Sequence, residues 1–386
     1  MSPLGMVICF TVDAGAKIAL DNLVKSGLYQ DVSEAICVSL INHDIIQREA
    51  QHNGGLEITR ADLLDDRSAF VRGSGAASTL PRPAPAATNV VTRVANGVSR
   101  IPEIFHLPRT SISPDEFPLS AEDGAERPTT SPKQWLFGQY NKLLPLKATL
   151  RGLLNLSGSQ RSGVPIADAI RTISTEAWIL GDYLDGLDQE NGSKRENALS
   201  TAFPTTSGSG SLGQSRFGNQ FVVSVNAEEV ATGLPIAFRL VAYVGGKTPR
   251  LNLSRQGAQF ALLENPILDH GQRTAEAKFS PAEISFLVNH IVRYVPQERH
   301  AFAVLLGALT DGLTAPKRLD QFVFEHFRDS GMTPAFTSLQ RSGVISRLVD
   351  LQLVERVRHG TKVTYAVTES GNELLPQLRT HTSSGA

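Results

Sequence analysis

Near Leu351 the spacing of apolar residues changes. In "TPAFTSLQRSGVISRLVDL", Val344, Leu348 and Leu351 recur at the intervals of one helix face, with Thr333 as cap and Pro334 at the first helical position. From Leu353 the interval is two: "LVERVR" and "KVTYAV" flank His359-Gly360-Thr361, whose glycine signals a turn. "TESGNELL" then opens another helix with Thr368 as its cap. Such a switch of period limits the segment to a helix that feeds a hairpin that feeds a second helix. Upstream, Phe302, Leu305, Leu306 and Leu309 make one helical stripe, and Leu319, Phe322, Val323 and Phe327 make another, stopped at Gly331.

Three helices followed by a two-stranded hairpin resemble the winged helix-turn-helix family over roughly Arg299 to Leu378. The resemblance implies duplex DNA binding, with the third helix in the major groove and the hairpin as a wing. With Val344, Leu348 and Leu351 facing the core, Thr337, Ser338, Gln340, Arg341 and Arg347 are the candidates for base edges. Arg358, His359 and Lys362 sit at the wing tip, where they would meet phosphates or the minor groove. From Ala335 to Val363 five basic residues stand against Asp350 and Glu355, in a chain whose net charge is −1. Such a near-neutral chain excludes a wholly basic nucleic-acid coat but not a local patch. The same face also suits a solvated surface on a domain kept for protein contacts. One departure from the family stands at Gln352, where glycine is common because the backbone turns left-handed. Gln costs on the order of 1 kcal/mol there if the turn is kept, so an altered helix end is the alternative.

An earlier stretch repeats the order of motifs. "YVGGKTPRLNLSRQGAQF" (Tyr243 to Phe260) has a strand, a Gly-containing basic tip, a second strand and a Ser-x-x-Gly helix start, as "RVRHGTKVTYAVTESGNEL" does. "LLPLKATLRGLLNL" and "PIADAIRTISTEAWILGDYLDGL" supply helices before it, and "PIAFRLVAYV" the first strand. Residues 132–270 therefore resemble a second winged helix, with a Ser/Gly-rich insertion at about 198–218. Its helix face "STEAWILGDYLDGLDQE" is acidic, which suits a protein partner better than DNA. The C-terminal unit spans 280–378.

Residues 6–50 read as a strand and two helices. Ile8, Phe10 and Val12 alternate, Asp13 caps the first helix, and Ser33 starts the second. "SGLYQDVSEAI" resembles the ribbon-helix-helix family, which implies a homodimer through residues 7–50, a size at which a single chain seldom holds a core. The outward strand residues are Val7, Cys9 and Thr11. The block carries three basic residues against six acidic ones, so dimerisation is expected, with weak DNA contact through Thr11 and Ser33 as the sharper alternative. Between 51 and 131 the composition turns to Pro, Ala, Ser, Thr and Gly, as in a disordered linker.

The fold class expected is mainly α with small β (α+β), a ribbon-helix-helix followed by tandem winged helices. The function expected is a dimeric transcriptional regulator binding double-stranded DNA through its C-terminal winged helix. The alternative is an architectural or assembly protein, of plasmid replication or partition or of a chromosome-organising complex, that uses winged helices for protein contacts. No catalytic constellation, cofactor or metal is expected: HExxH and CxxC are missing, and His290 and His300 are spaced too far apart for a helical metal pair. "GSGSLG" (Gly208 to Gly213) lacks a preceding strand and reads as a loop. Lys142, Lys147 and Arg151 read as snorkelling surface residues. No apolar run reaches a membrane span and the start lacks a signal-peptide pattern, so a cytoplasmic, nucleoid-associated protein is expected.

Overall fold

The structure is a computed structural model that describes residues 100–117, 135–158, 163–193, 197–208, 210–226, 228–272, 278–328, 333–360 and 362–380. The expected 6–50 module, with Thr11 and Ser33, lies outside the described residues, as does the stop at Gly331. The rest is mainly helical with small antiparallel sheets, an α+β fold. Apart from Asn226 and Glu228, the described residues belong to one compact unit.

Residues 100–117, inside the stretch expected to be a linker, are ordered. Two 3-10 turns, Glu103–Phe105 and Pro114–Glu116, lay buried Phe105 and Phe117 against the body. Two aromatic anchors in a polar run are enough, and window composition conceals them. Helix α1 (Leu144–Ser157) follows, then strand β1 (Val164–Pro165) and the long helix α2 (Ile166–Glu190). The Ser/Gly-rich insertion is ordered too. Gly210–Phe217 is helix α3, continued by a π-turn over Gly218–Val222, so part of "GSGSLG" is helical rather than loop. Phe203 stacks on Phe217 at 5.7 Å, and Phe217 meets Phe221 at 5.4 Å.

Three carboxylates on the acidic face of α2 hold this insertion. Asp188 accepts from the Leu199 and Ser200 amides at 2.8 and 2.9 Å, Asp182 from the Thr206 amide at 2.6 Å, and Asp185 from the Ser207 hydroxyl at 2.7 Å.

A hairpin of β2 (Ser224–Val225) and β3 (Ala231–Thr232) leads into the single turn α4 (Leu234–Ala237). The strand expected over "PIAFRLVAYV" is confined to β4 (Val241–Val244), because Pro235 opens the helical turn α4 in its place. Strand β5 (Arg250–Leu253) and helix α5 (Arg255–Leu262) complete a first run of turn, hairpin and helix (the first copy), whose sheet has the order β1-β5-β4.

Helix α6 (Pro281–Tyr294) carries a Ser280/Glu283 capping box. The second copy comprises α7 (Pro296–Thr310), α8 (Pro316–His326), α9 (Pro334–Asp350), β6 (Val354–His359), β7 (Lys362–Val367) and α10 (Glu369–Thr380). The Thr333 hydroxyl accepts from the Phe336 amide at 3.2 Å, and Val344, Leu348 and Leu351 are fully buried. Strands β6 and β7 pair antiparallel from Val354 opposite Val367 to His359 opposite Lys362. The Tyr365 amide also donates to the Thr314 carbonyl at 3.0 Å, at the edge where the first copy has β1.

The two copies share a junction down to single hydrogen bonds. Arg239 has φ 56° and Gln352 φ 57°, so the left-handed turn is kept without glycine in both. Arg239 and Leu240 donate to the Ile236 and Pro235 carbonyls, as Gln352 and Leu353 do to those of Val349 and Leu348. Past each hairpin a hydroxyl closes the turn: Ser254 donates to the Arg239 carbonyl at 3.1 Å, Thr368 to that of Gln352 at 2.7 Å. Each hydroxyl then caps the next helix by accepting from Gly257 or Gly371. Neither glycine tolerates a side chain, since a Cβ would meet the Leu240 or Leu353 carbonyl oxygen at 2.0 or 2.2 Å.

Candidate nucleic-acid interface

Helix α9 is where base-reading residues are expected, and the structure buries most of them. Thr337, Gln340, Arg341 and Arg347 keep 0, 3, 7 and 0% of their surface exposed. Arg347 spends its guanidinium inside: Nε donates to Glu298 Oε1 at 2.5 Å, Nη2 to Glu298 Oε2 at 2.8 Å, and Nη1 to the Tyr140 carbonyl. Glu298, on α7, is itself fully buried. Arg341 pairs with Asp320 of α8 at 2.8 Å. Thr337 donates to the Pro334 carbonyl at 2.9 Å. These four side chains cannot reach a base edge, which corrects the expectation from helix periodicity. Ser338, half-buried, is the one expected reader on α9 that keeps substantial surface.

What covers α9 is the segment 135–143. Its backbone crosses the helix so closely that a Cβ on Gly138 would sit 2.4 Å from the Leu339 carbonyl oxygen. A Cβ on Gly343 would lie 2.2 Å from the Gly138 carbonyl oxygen. Trp135 packs edge-on against Phe327 at 5.1 Å. At the far end the Leu143 amide donates to buried Asp350 at 3.0 Å, and Lys278 and Lys142 pair with the same carboxylate at 2.9 and 3.8 Å. Burial pushes this carboxyl up, but the two ammonium groups and the amide outweigh it and hold it below the ordinary range.

The ionic network runs on through α1. Lys147 pairs with Glu283 of α6 at 2.9 Å and donates to the Phe260 and Leu263 carbonyls. Burial lowers its pKa to about 8 against the pull of Glu283. Arg151 forks onto Asp269 with two 2.8 Å bonds. Lys142, Lys147 and Arg151 are thus interior residues, not the surface cations expected. The copies are fastened by charges that are desolvated and paired.

Exposed basic character survives at the hairpin tip, where Arg358, His359 and Lys362 all face outward. The root is fixed by the β6–β7 ladder and by Arg356, which sits 5.9 Å from the Tyr365 ring. The first copy's tip exposes Lys247 between Gly246 and Thr248. Its counterpart of α9 is the single turn α4, too short to enter a groove. Among the described residues, neither α4 nor α9 holds out the arginines expected to read bases.

Among the described residues no cluster of His, Cys, Asp or Glu could hold a metal ion, and no helix is long and apolar enough to cross a membrane. Comparison with protein-family models, with curated proteins and with solved structures finds no match to this chain.

Proposed function

We propose that this chain is a dimeric, DNA-associated assembly protein. Its body is a tandem winged helix that makes protein contacts and touches duplex through the second hairpin tip alone. The observation that carries the reading is the consumption of α9 inside the body, with Arg347 locked between Glu298 and Tyr140. The winged-helix assignment is supported by the shared junction and by the first copy's β1-β5-β4 strand order. Contact through Arg358, His359 and Lys362 suits phosphates and carries little sequence information. Dimerisation belongs to residues 7–50, by their likeness to a ribbon-helix-helix.

A second reading, the sequence-specific regulator, is favoured by the exposed basic tip itself, which a pure protein module does not need. Fluorescence anisotropy on a random duplex and on the DNA upstream of the chain's own coding region separates the two. The assembly reading expects both duplexes to bind within about threefold. It also expects Arg358→Ala with Lys362→Ala to lower the salt slope by roughly 2, and Ser338→Ala to change nothing. A preference of about a thousandfold for one duplex would establish the regulator instead. Absence of any duplex binding would remove the DNA contact from both readings.

A further inference from the structure

The root of the second hairpin carries more cations than it pairs. Lys142 and Lys278 share the Asp350 carboxylate, and Arg356 has no carboxylate partner among the described residues. Lys278 donates to Asp350 Oδ1 at 2.9 Å. Lys142 stands 3.8 Å from the same oxygen, too far for a hydrogen bond, and its ammonium makes none among the described residues. Both lysines keep only 8% of their surface exposed, so water does little to screen them. Desolvation lowers the Lys142 pKa, Asp350 opposes that, and the neighbouring charges of Lys278 and Arg356 lower it again. Arg356 comes from β6, about 7 Å along the strand from Arg358 and on the same face. Its Nε is sealed from solvent without an acceptor. What steadies the guanidinium is the Tyr365 ring, 5.9 Å away, on a strand whose Tyr365 amide is tied to the Thr314 carbonyl. A held guanidinium and a held ammonium thus stand within reach of each other's charge with donors unspent.

We infer that the root of this hairpin binds a phosphate-type oxyanion, with Lys142 and Arg356 as its donors and Lys278 occupying Asp350 beside them. A phosphoryl group brings about −1.5 to −2 charge near neutral pH and several acceptor oxygens, enough for an ammonium and a guanidinium together. A single carboxylate would leave one of the two uncompensated. Because Tyr365 already holds Arg356, little ordering is left to be done on binding. Both lysines are nearly sealed, so a free phosphate or the phosphoryl end of a small molecule fits better than a phosphate held in a duplex backbone.

The inference does not rest on the assembly reading, and its first test contains no DNA. Sodium phosphate is titrated into the full chain against sodium chloride at constant ionic strength, and thermal unfolding is followed. The expected result is a saturable rise in melting temperature, as a ligand of the folded state produces. Arg356→Gln and Lys142→Gln should each move the half-saturation point up by about tenfold or more. Arg356→Gln removes a half-buried side chain that makes no hydrogen bond among the described residues, so this variant serves even if Lys142→Gln fails to fold. A rise that stays linear in phosphate, or one equal in the parent and Arg356→Gln, is a solvent effect and overturns the site. No rise overturns it as well. Anisotropy on a random duplex then separates the sources. Duplex affinity indifferent to saturating phosphate supports the small phosphate ligand. Competition that Arg356→Gln relieves keeps the site but makes a backbone phosphate its occupant, and overturns the small-molecule assignment.

Discussion

Replacing Arg347 with Ala separates an internal strut from a base reader. In the folded chain the guanidinium makes two bonds to Glu298 and one to the Tyr140 carbonyl, and both charged side chains are fully buried. Deleting the arginine leaves a carboxylate with its partner gone and no access to water. Breaking a buried pair in this way costs about 3–5 kcal/mol. For a body of this size each kcal/mol lowers the melting temperature by about 2–4 °C, so a drop of about 6–20 °C is expected. Removing both charges tells the cause apart. Arg347→Met with Glu298→Leu should recover most of the loss, because an apolar pair of similar volume is often neutral or better. Thermal unfolding followed by circular dichroism reads the stability, and anisotropy on a random duplex reads binding by the folded fraction. The double variant should bind duplex like the parent. A single Arg347→Ala variant that melts within 2 °C of the parent yet loses tenfold or more in duplex affinity would refute the reasoning.

His290 sets a pH dependence: burial holds its pKa near 4, against the opposing hydrogen bond to the Phe238 carbonyl. The unfolded chain titrates near 6.5, so stability is fully present above that pH and falls as pH drops from 6.5 toward 4, by roughly 3 kcal/mol in all. His290→Gln should flatten urea midpoints measured across this window, and an unchanged pH profile would count against it. At the shared junction, Gln352→Gly should stabilise by about 1 kcal/mol because φ is already 57°, whereas Gly371→Ala should destabilise through its clash with the Leu353 carbonyl. Urea unfolding of the two variants checks the opposite signs.

Local features were legible in the sequence. The cap at Thr333, the period change at Leu351, the hairpin around Gly360 and the Ser/Thr-x-x-Gly starts at Ser254 and Thr368 are each written in a few adjacent residues. Pairings across long separations were not. A helix that shows Arg341, Arg347 and Gln340 opposite an apolar stripe reads the same whether that face meets water, DNA or another part of the chain. The partners that decide it, Tyr140 and Glu298, lie far away and carry no local mark. One signal was available: Gly138 and Gly343 are small residues at a backbone crossing, and "WLFGQY" beside a helix with a mid-turn glycine hints at close approach. What the acidic face of α2 holds was hidden for the same reason, since its carboxylates cap an insertion whose aromatic anchors are diluted by Ser and Gly.

Hydrogen exchange along α9 tests the central claim most directly. With the helix clamped between the segment 135–143 and the α7–α8 pair, its amides from Gln340 to Leu348 should exchange only through global opening and be the slowest in the chain. Adding saturating duplex should leave them unchanged while slowing exchange around His359. Fast exchange over Gln340 to Leu348 that becomes protected only when duplex is added would contradict the account, because the helix would then be open to solvent and reserved for DNA.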